Sequence, residues 1–97
     1  MKLIYGDCGT GKTKEILRVS SERRIPVLCE SEARKARLIE KAKGYGFDVP
    51  TPVVYNEDLT GTKEVLVDDP KRLLEEAFGV SLEAISVNVA DKDVKKL

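Results

Sequence analysis

One stretch near the start of the chain combines glycines, a lysine and a threonine at fixed spacing. It runs Gly6-Asp7-Cys8-Gly9-Thr10-Gly11-Lys12-Thr13, the pattern G-x-x-x-x-G-K-T. Glycine lets the backbone turn sharply and approach a ligand closely, so that successive amide groups can point at one anion. Lys12 adds a compact positive charge, and the Thr13 hydroxyl is an oxygen ligand of the kind that Mg²⁺ accepts. This segment, called the glycine loop below, is therefore predicted to enclose a polyphosphate.

The segments beside the glycine loop have the patterns that such a loop requires. Lys2–Tyr5 is predicted to be a strand, and residues from about Gly11 to Glu22 are predicted to be a helix. The N-terminus of a helix carries unpaired amides and a partial positive charge, which favour an anion. In this context the stretch resembles the Walker A motif of the P-loop NTPases. The alternative, a glycine-rich turn that only begins a helix, is disfavoured because all four fixed positions match.

The resemblance implies a role for each part of the motif. Lys12 would contact the β- and γ-phosphates of a nucleotide, and Thr13 would ligate Mg²⁺. The implied nucleotide-binding residues are Gly6, Asp7, Cys8, Gly9, Thr10, Gly11, Lys12 and Thr13. We expect ATP as the nucleotide, because Lys71 stands where the D-x-x-G motif of GTPases would place its glycine after Asp68.

A pair of acidic residues follows a later apolar run. Glu64-Val65-Leu66-Val67-Asp68-Asp69 predicts a buried strand that ends in an acid, which resembles the Walker B motif of the same proteins. Ligands of open parallel sheets bind at the carboxyl ends of the strands. Asp68 is therefore expected to lie opposite Thr13 and to hold Mg²⁺ through water. A purely structural role remains the alternative, because many strands end in aspartate.

Two further residues have two interpretations each. Asp69 stands where P-loop ATPases often carry a glutamate that orients or deprotonates the attacking water. Asp69 also precedes Pro70, so the alternative is that it caps the helix predicted up to Phe78. Asn88, late in a predicted strand, would sense the γ-phosphate or simply end that strand. The resemblance thus implies Lys12, Asp69 and Asn88 as catalytic residues.

The charge of the chain is balanced overall but unevenly distributed. The chain has 97 residues, with 17 Lys+Arg and 17 Asp+Glu, and one domain is expected. Met1–Tyr45 carries an excess of basic residues, and Gly46–Leu97 carries an equal excess of acidic ones. We expect the basic, phosphate-binding half to pack beside the acidic, metal-binding half; head-to-tail association of chains is the alternative. The basic face of the second helix lacks aromatic residues, so a solvated surface is favoured over a nucleic-acid interface.

The cysteine and histidine content limits which catalytic groups and metal ligands the chain can provide. The chain has no histidine, which excludes imidazole catalysis and histidine-ligated zinc. Cys8 and Cys29 form no disulfide or metal-binding pattern, and a reduced, cytoplasmic setting is expected. No signal peptide or membrane-spanning run is predicted, and a membrane is not an expected partner.

The remaining elements complete an α/β pattern. Ile25–Cys29 is the second predicted strand, at a sheet edge or beginning at Pro26, because proline cannot donate a ladder hydrogen bond. A helix is expected over Glu32–Lys43, capped by Ser31 and ended by Gly44. Its predicted buried face is made of residues three apart, Ala33, Ala36, Ile39 and Ala42. Further along the chain we expect a short strand at Val53–Tyr55, a strand at Ala84–Val89 and a frayed tail over Ala90–Leu97. Alternating strands and helices predict a parallel sheet with helices on both faces. The resemblance implies a three-layer P-loop fold, and we choose the strand order 1-4-3-2.

These expectations favour Mg²⁺-dependent binding of ATP with slow hydrolysis. Efficient turnover needs an arginine at the transition state, and Arg18, Arg23, Arg24 and Arg72 are candidates by type alone. A partner protein or a second copy of the chain would then supply one. Two alternatives stay open. One is a phosphotransferase similar to thymidine kinases, with Gly46–Gly61 as a lid, and the other is a non-catalytic, nucleotide-gated interaction module.

Overall fold

Three α-helices and five short strands alternate along the chain in the computed structural model, which describes residues 1–97. The elements are β1 Leu3–Tyr5, α1 Lys12–Arg23, β2 Val27–Cys29, α2 Glu32–Tyr45, β3 Val53–Val54, β4 Leu66–Val67, α3 Pro70–Phe78 and β5 Val94–Lys96, the last preceded by a 3₁₀ turn at Asp91–Asp93. The predicted α/β class is confirmed. None of the helices is long and apolar enough to cross a membrane.

The strands form two small parallel sheets. β1 pairs with β5, with Leu3 opposite Val94 and Tyr5 opposite Lys96. The other sheet has the order β3-β2-β4, so β2 is its central strand. Because β2 and β4 are parallel, the residues that follow them emerge at the same edge of the sheet.

This pairing differs from the predicted order 1-4-3-2. The adjacency of the second strand and the Walker B-like strand is present, but the second strand is not at an edge. It begins directly after Pro26, whose carbonyl accepts a hydrogen bond from the Leu66 amide at 3.0 Å. The proline therefore removes no ladder bond from the central strand.

The segment Ala84–Val89 is not a strand. Ile85 and Val87 are exposed, and the backbone of this segment pairs with no other strand. β4, which was expected to be a buried strand, is only half-buried. The parallel neighbour of β1 is instead β5, within the tail that was expected to fray. Lys95 Nζ donates to Glu15 Oε2 at 3.0 Å, and the Leu97 amide donates to the Tyr5 carbonyl at 2.8 Å. These bonds hold the tail against β1 and α1.

The core lies between the three-stranded sheet, α1 and α2. Its fully buried members are Leu17, Val27, Cys29, Leu38, Ala42 and Val54. On α2 the buried face passes through Leu38 and Ala42, whereas Ala33 and Ala36 are exposed, contrary to the predicted stripe. The face follows a spacing of four residues, which also turns Arg34 inward. α2 runs through Gly44 and ends at Gly46, whose φ of 78° gives the left-handed cap.

The basic and acidic halves of the chain pack against each other, as expected. Four ion pairs join a basic residue of the first half to an acidic residue of the second: Arg23–Glu64, Arg24–Asp48, Arg34–Asp68 and Lys35–Glu57. Arg23–Glu64 and Arg24–Asp48 are exposed, where such pairs contribute little to stability, and Lys35–Glu57 is partly buried. The Arg34–Asp68 pair is buried and belongs to the site described next.

Candidate functional site

The glycine loop closes around one carbonyl group. The Asp7 carbonyl oxygen accepts hydrogen bonds from the Thr10 amide at 3.3 Å, the Thr10 hydroxyl at 2.8 Å and Lys12 Nζ at 2.5 Å. Gly9 and Gly11 have φ of 81° and 89°, a region that other residues avoid. A Cβ at either position would meet no atom within 4 Å, so the backbone conformation is what requires glycine there.

Gly6 is required for a different reason, which is space. A Cβ at Gly6 would lie 2.7 Å from Thr10 Oγ1 and 2.8 Å from the Leu97 carbonyl oxygen. Both distances are far below van der Waals contact, and one neighbour is backbone. Gly6 therefore lets the start of the loop fit between its own turn and the end of the chain.

The first turn of α1 presents free amides to the loop. Its N-cap, Gly11, has no side chain, and the first helical hydrogen bond runs from the Glu15 amide to the Gly11 carbonyl at 3.0 Å. The amides of Lys12, Thr13 and Lys14 donate to no acceptor in the protein. Together with the helix dipole, these groups favour an anion at this end of α1.

The two lysines of this turn point to different places. Lys12 Nζ lies over the loop, bonded to the Asp7 carbonyl and 3.4 Å from Thr10 Oγ1. Lys14 Nζ instead lies 5.3 Å from the centroid of the Tyr45 ring, a cation–π contact with α2. Only Lys12 is therefore placed to meet an anion held in the loop.

Thr13 and Asp68, which are 55 residues apart, are in direct contact. The Thr13 hydroxyl donates to Asp68 Oδ2 at 2.8 Å. Thr13 lies in the first turn of α1, and Asp68 follows β4 directly, so the packing of α1 beside β4 brings them together. Asp68 is only 9% exposed although it carries a charge. The proximity that the motifs predicted is present in the structure.

Arg34 is the residue at this site that sequence reasoning missed. Its Nη2 lies 2.5 Å from Asp68 Oδ2, and the two side chains are 11% and 9% exposed. It was assigned to the solvated face of the second helix, because that face was placed from the alanine spacing. A prediction from Leu38 would have found it, since residues four apart share a helix face.

Thr13 and Asp68 fit a divalent metal, although the present contacts would have to change. Mg²⁺ prefers oxygen ligands and is commonly held by one or two protein groups together with phosphates and water. Asp68 Oδ2 already accepts from Thr13 and Arg34, but no protein group donates to Oδ1. That oxygen remains for a cation or its water. The chain contains no cluster of three or more acidic or cysteine side chains that would form a self-sufficient cage.

Asp69 acts as the N-cap of α3. Its side chain accepts from the Arg72 amide at 3.3 Å and lies 3.6 Å from Arg72 Nε, and Pro70 takes the first helical position. Its φ of 64° lies in the left-handed region, which is uncommon for a non-glycine residue but more often adopted by Asp and Asn. The capping interpretation is thus observed, whereas the water-activating one stays a prediction.

The other predicted residues, namely Asn88, the two cysteines and the arginines chosen by type, form no hydrogen bond or ion pair with Thr13 or Asp68. Asn88 is exposed in the segment that forms no strand, and it donates no hydrogen bond to these residues. Cys8 is exposed within the glycine loop, whereas Cys29 is buried, and burial raises the pKa of its thiol. The arginines proposed by type are paired with nearby acids, Arg18 with Glu15 and Glu22, Arg23 with Glu64, Arg24 with Asp48 and Arg72 with Asp69.

The first part of the proposed lid, Gly46–Gly61, is attached to the body of the protein. β3 pairs with β2, Pro52 is buried, and Arg24 Nη1 donates to the Asp48 carbonyl at 2.6 Å. Glu57 bonds to Lys35 at 3.1 Å, and this contact lowers the pKa of Glu57. Only the residues after Glu57 are free of such contacts, so a lid would have to be much shorter than predicted.

No protein-family profile, no curated protein and no solved structure matches this chain.

Proposed function

We propose that the chain binds a nucleoside triphosphate with Mg²⁺, ATP being the first candidate, and hydrolyses it slowly. The observation that carries this proposal is the contact between Thr13 and Asp68 beside a loop of free amides. A glycine-rich turn that only begins a helix does not require a buried acid at its threonine. The P-loop architecture is part of the same proposal, and the order 1-4-3-2 would require Ala84–Val89 to insert between β1 and β4.

The residues of the site have separate tasks in this proposal. The loop amides and Lys12 bind the phosphates, and Lys12 exchanges the Asp7 carbonyl for a phosphate oxygen. Bound Mg²⁺ would supply positive charge that neutralises the phosphates, held by Thr13 and, through water, by Asp68. Asp69 orients the attacking water and Asn88 senses the γ-phosphate, for which both would have to approach the loop.

Slow hydrolysis follows from the arrangement of the arginines. The one arginine beside Thr13 and Asp68 is Arg34, and its Nη2 is occupied by Asp68. Because the Asp68 carboxylate offsets the charge of Arg34, we expect this guanidinium to add little stabilisation to a transferring phosphoryl group. Turnover by the chain alone is therefore expected to be slow, and faster with a partner protein or second copy that adds an arginine.

The proposal is tested by titration calorimetry with Mg²⁺·ATP and Mg²⁺·GTP. Lys12→Ala should weaken ATP binding by about tenfold to a hundredfold, the usual value of a charged hydrogen bond. Lys14→Ala is the matched control. It also removes one lysine charge, only two residues along the chain, but the Lys14 side chain faces Tyr45 and not the loop. The proposal fails if neither nucleotide binds at millimolar concentration, or if both variants weaken binding equally.

A phosphotransferase is the second candidate, and one observation favours it. A cavity is lined by three arginines, one of which, Arg34, contacts Asp68. Such a cavity offers a place for a second, anionic substrate. Product analysis separates the candidates, since hydrolysis releases inorganic phosphate and transfer yields a phosphorylated acceptor. Binding without either product would favour the nucleotide-gated module, to which the capping role of Asp69 already conforms.

A further inference from the structure

A cavity of 260 Å³ opens between the N-terminal ends of α2 and α3. It is called the arginine cavity here, and its lining residues are Glu30, Ser31, Ala33, Arg34, Arg37 and Arg72. Glu30 and Ser31 follow β2, and Arg72 lies in the first turn of α3, after β4. The cavity therefore lies at the carboxyl edge of the three-stranded sheet, where parallel sheets place their ligands.

The three arginines of the cavity have unused hydrogen-bonding capacity. Arg37 forms no ion pair or side-chain hydrogen bond, and Arg72 has only the 3.6 Å contact with Asp69 and is 60% exposed. Arg34 uses Nη2 on Asp68, while its buried Nε has no partner. A buried donor without a partner costs stability unless a ligand or water satisfies it.

Glu30 adds the opposite requirement to the same cavity. Its Oε2 is buried and also lacks a partner. A buried carboxylate oxygen needs a donor, just as Arg34 Nε needs an acceptor. A bare anion would satisfy Arg34 but would be repelled by Glu30. A ligand with an anionic group and a neighbouring hydroxyl or amine would satisfy both.

We propose that the arginine cavity binds a phosphorylated small molecule whose body carries hydroxyl or amine groups, such as a sugar phosphate. Its phosphate accepts from the unpartnered Arg34 Nε and from Arg37 and Arg72, since guanidinium groups match phosphate oxygens in geometry and charge. A donor on its body reaches Glu30. The volume is close to the lower end of the range for ligand sites, about 300–1,000 Å³, so the ligand is small.

This site is distinct from the glycine loop, and one carboxylate oxygen bonds to a residue of each. Asp68 Oδ2 accepts from Thr13 on the loop side and from Arg34 on the cavity side. The inference stands without the proposed nucleotide site, because the arginine cavity has its own donors. It is therefore tested in a protein whose glycine loop is weakened by Lys12→Ala.

The experiment uses the full chain with Lys12→Ala and titrates ribose 5-phosphate, ribose and inorganic phosphate by calorimetry. Ribose 5-phosphate should bind saturably and more tightly than inorganic phosphate, and ribose should not bind. Adding Arg37→Gln should weaken the binding of ribose 5-phosphate by at least about tenfold, because the charge-assisted hydrogen bonding of the guanidinium is lost. Arg37 is exposed and unpaired, so this change leaves the fold intact.

Two controls keep the result specific. Arg23→Gln removes the same charge from an exposed residue that is paired with Glu64, outside the cavity, and should leave the affinity unchanged. Glu30→Ala should reduce the preference for ribose 5-phosphate over inorganic phosphate, because the donor on the sugar loses its acceptor. The inference is overturned if ribose 5-phosphate does not bind to the Lys12→Ala protein. It is also overturned if Arg23→Gln and Arg37→Gln weaken binding equally.

Discussion

The glycine loop and the arginine cavity both present donors to an anion, but they are built in different ways. The glycine loop uses backbone amides and one lysine from contiguous residues, Gly6–Thr13. The arginine cavity uses side chains from α2 and α3, joined only by the fold. The Asp68 carboxylate is the partner that they share, because it accepts from Thr13 of the loop and from Arg34 of the cavity. A site made of backbone is encoded locally, whereas a site made of side chains depends on how helices are placed.

Because one site is made of backbone and the other of side chains, different substitutions should disrupt them. The loop depends on backbone angles and space at a few glycines, so one added methyl group can disrupt it. The cavity depends on the orientation of α2, which the packing of Leu38 and Ala42 determines. Substitutions that affect one site and leave the other intact therefore test the comparison.

Asp68→Ala should have the largest effect, because it removes the group that both sites share. It leaves the guanidinium of Arg34 buried without its partner, which typically costs about 3–5 kcal/mol. The free energy of unfolding, measured by urea denaturation, should fall by that amount. Asp68→Asn keeps an acceptor oxygen, so it should lower the free energy of unfolding by less. If Asp68→Ala costs no more than the cap substitution Asp69→Ala, the shared role of Asp68 is wrong.

Gly6→Ala should damage the loop and spare the cavity. The new Cβ would lie within 3 Å of Thr10 Oγ1 and the Leu97 carbonyl, and such overpacking costs about 1–3 kcal/mol. ATP binding should be lost while ribose 5-phosphate still binds. Gly44→Ala is the matched control, since a Cβ there meets nothing within 4 Å, and it should stabilise α2 by about 0.5–1 kcal/mol. Loss of both ligands in Gly6→Ala would show that the sites are not separable.

Asp69 separates a capping role from a catalytic one. Asp69→Ala should cost about 1 kcal/mol, the value of an N-cap, whereas Asp69→Asn should preserve the cap and the stability. Under the proposed function, Asp69→Asn should still slow phosphate release by about a hundredfold, because an amide cannot accept a proton from water. Unchanged hydrolysis in a stable Asp69→Asn protein would assign Asp69 to capping alone.

Acid should produce the smallest effect, on the docking of β5. Arg18 and then Lys95 hold the pKa of Glu15 below its ordinary value of 4.5. A lowered pKa in the folded protein means that the ion pair stabilises β5 fully above about pH 4.5 and less as the pH falls through the lowered pKa. Amide exchange of Val94–Leu97 should therefore lose protection, before the core does, as the pH falls below the ordinary Glu15 pKa of 4.5. Lys95→Met should remove this dependence, and an unchanged profile would contradict it.

The elements that the sequence predicted well have strong local patterns. α1 and α3 match their predicted bounds to within about one residue, because the glycine loop and the Asp69-Pro70 cap mark where they begin. The start of α2 at Ser31 is equally well marked. Its end was not, because Gly44 is accommodated within the helix and Gly46 provides the cap.

The elements that were missed depend on distant partners. Ala84–Val89 alternates like a strand, but a strand forms only where another backbone is available to pair with it. The polar tail has weak local preference, yet it pairs with β1 and is held by Glu15 and Tyr5. Arg34 was placed on the wrong face of its helix because a spacing of three and a spacing of four select different faces over four turns.

The sequence by itself determined the glycine loop, the helix that follows it and the acidic pair at Asp68-Asp69. Those features arise from backbone conformation and from caps, which act between near neighbours in the chain. Only the tertiary structure decided which strand lies beside β1, that Asp68 pairs with Arg34, and that three arginines line one cavity. Those contacts join residues far apart in the chain, and the packing of helices against the sheet selects them.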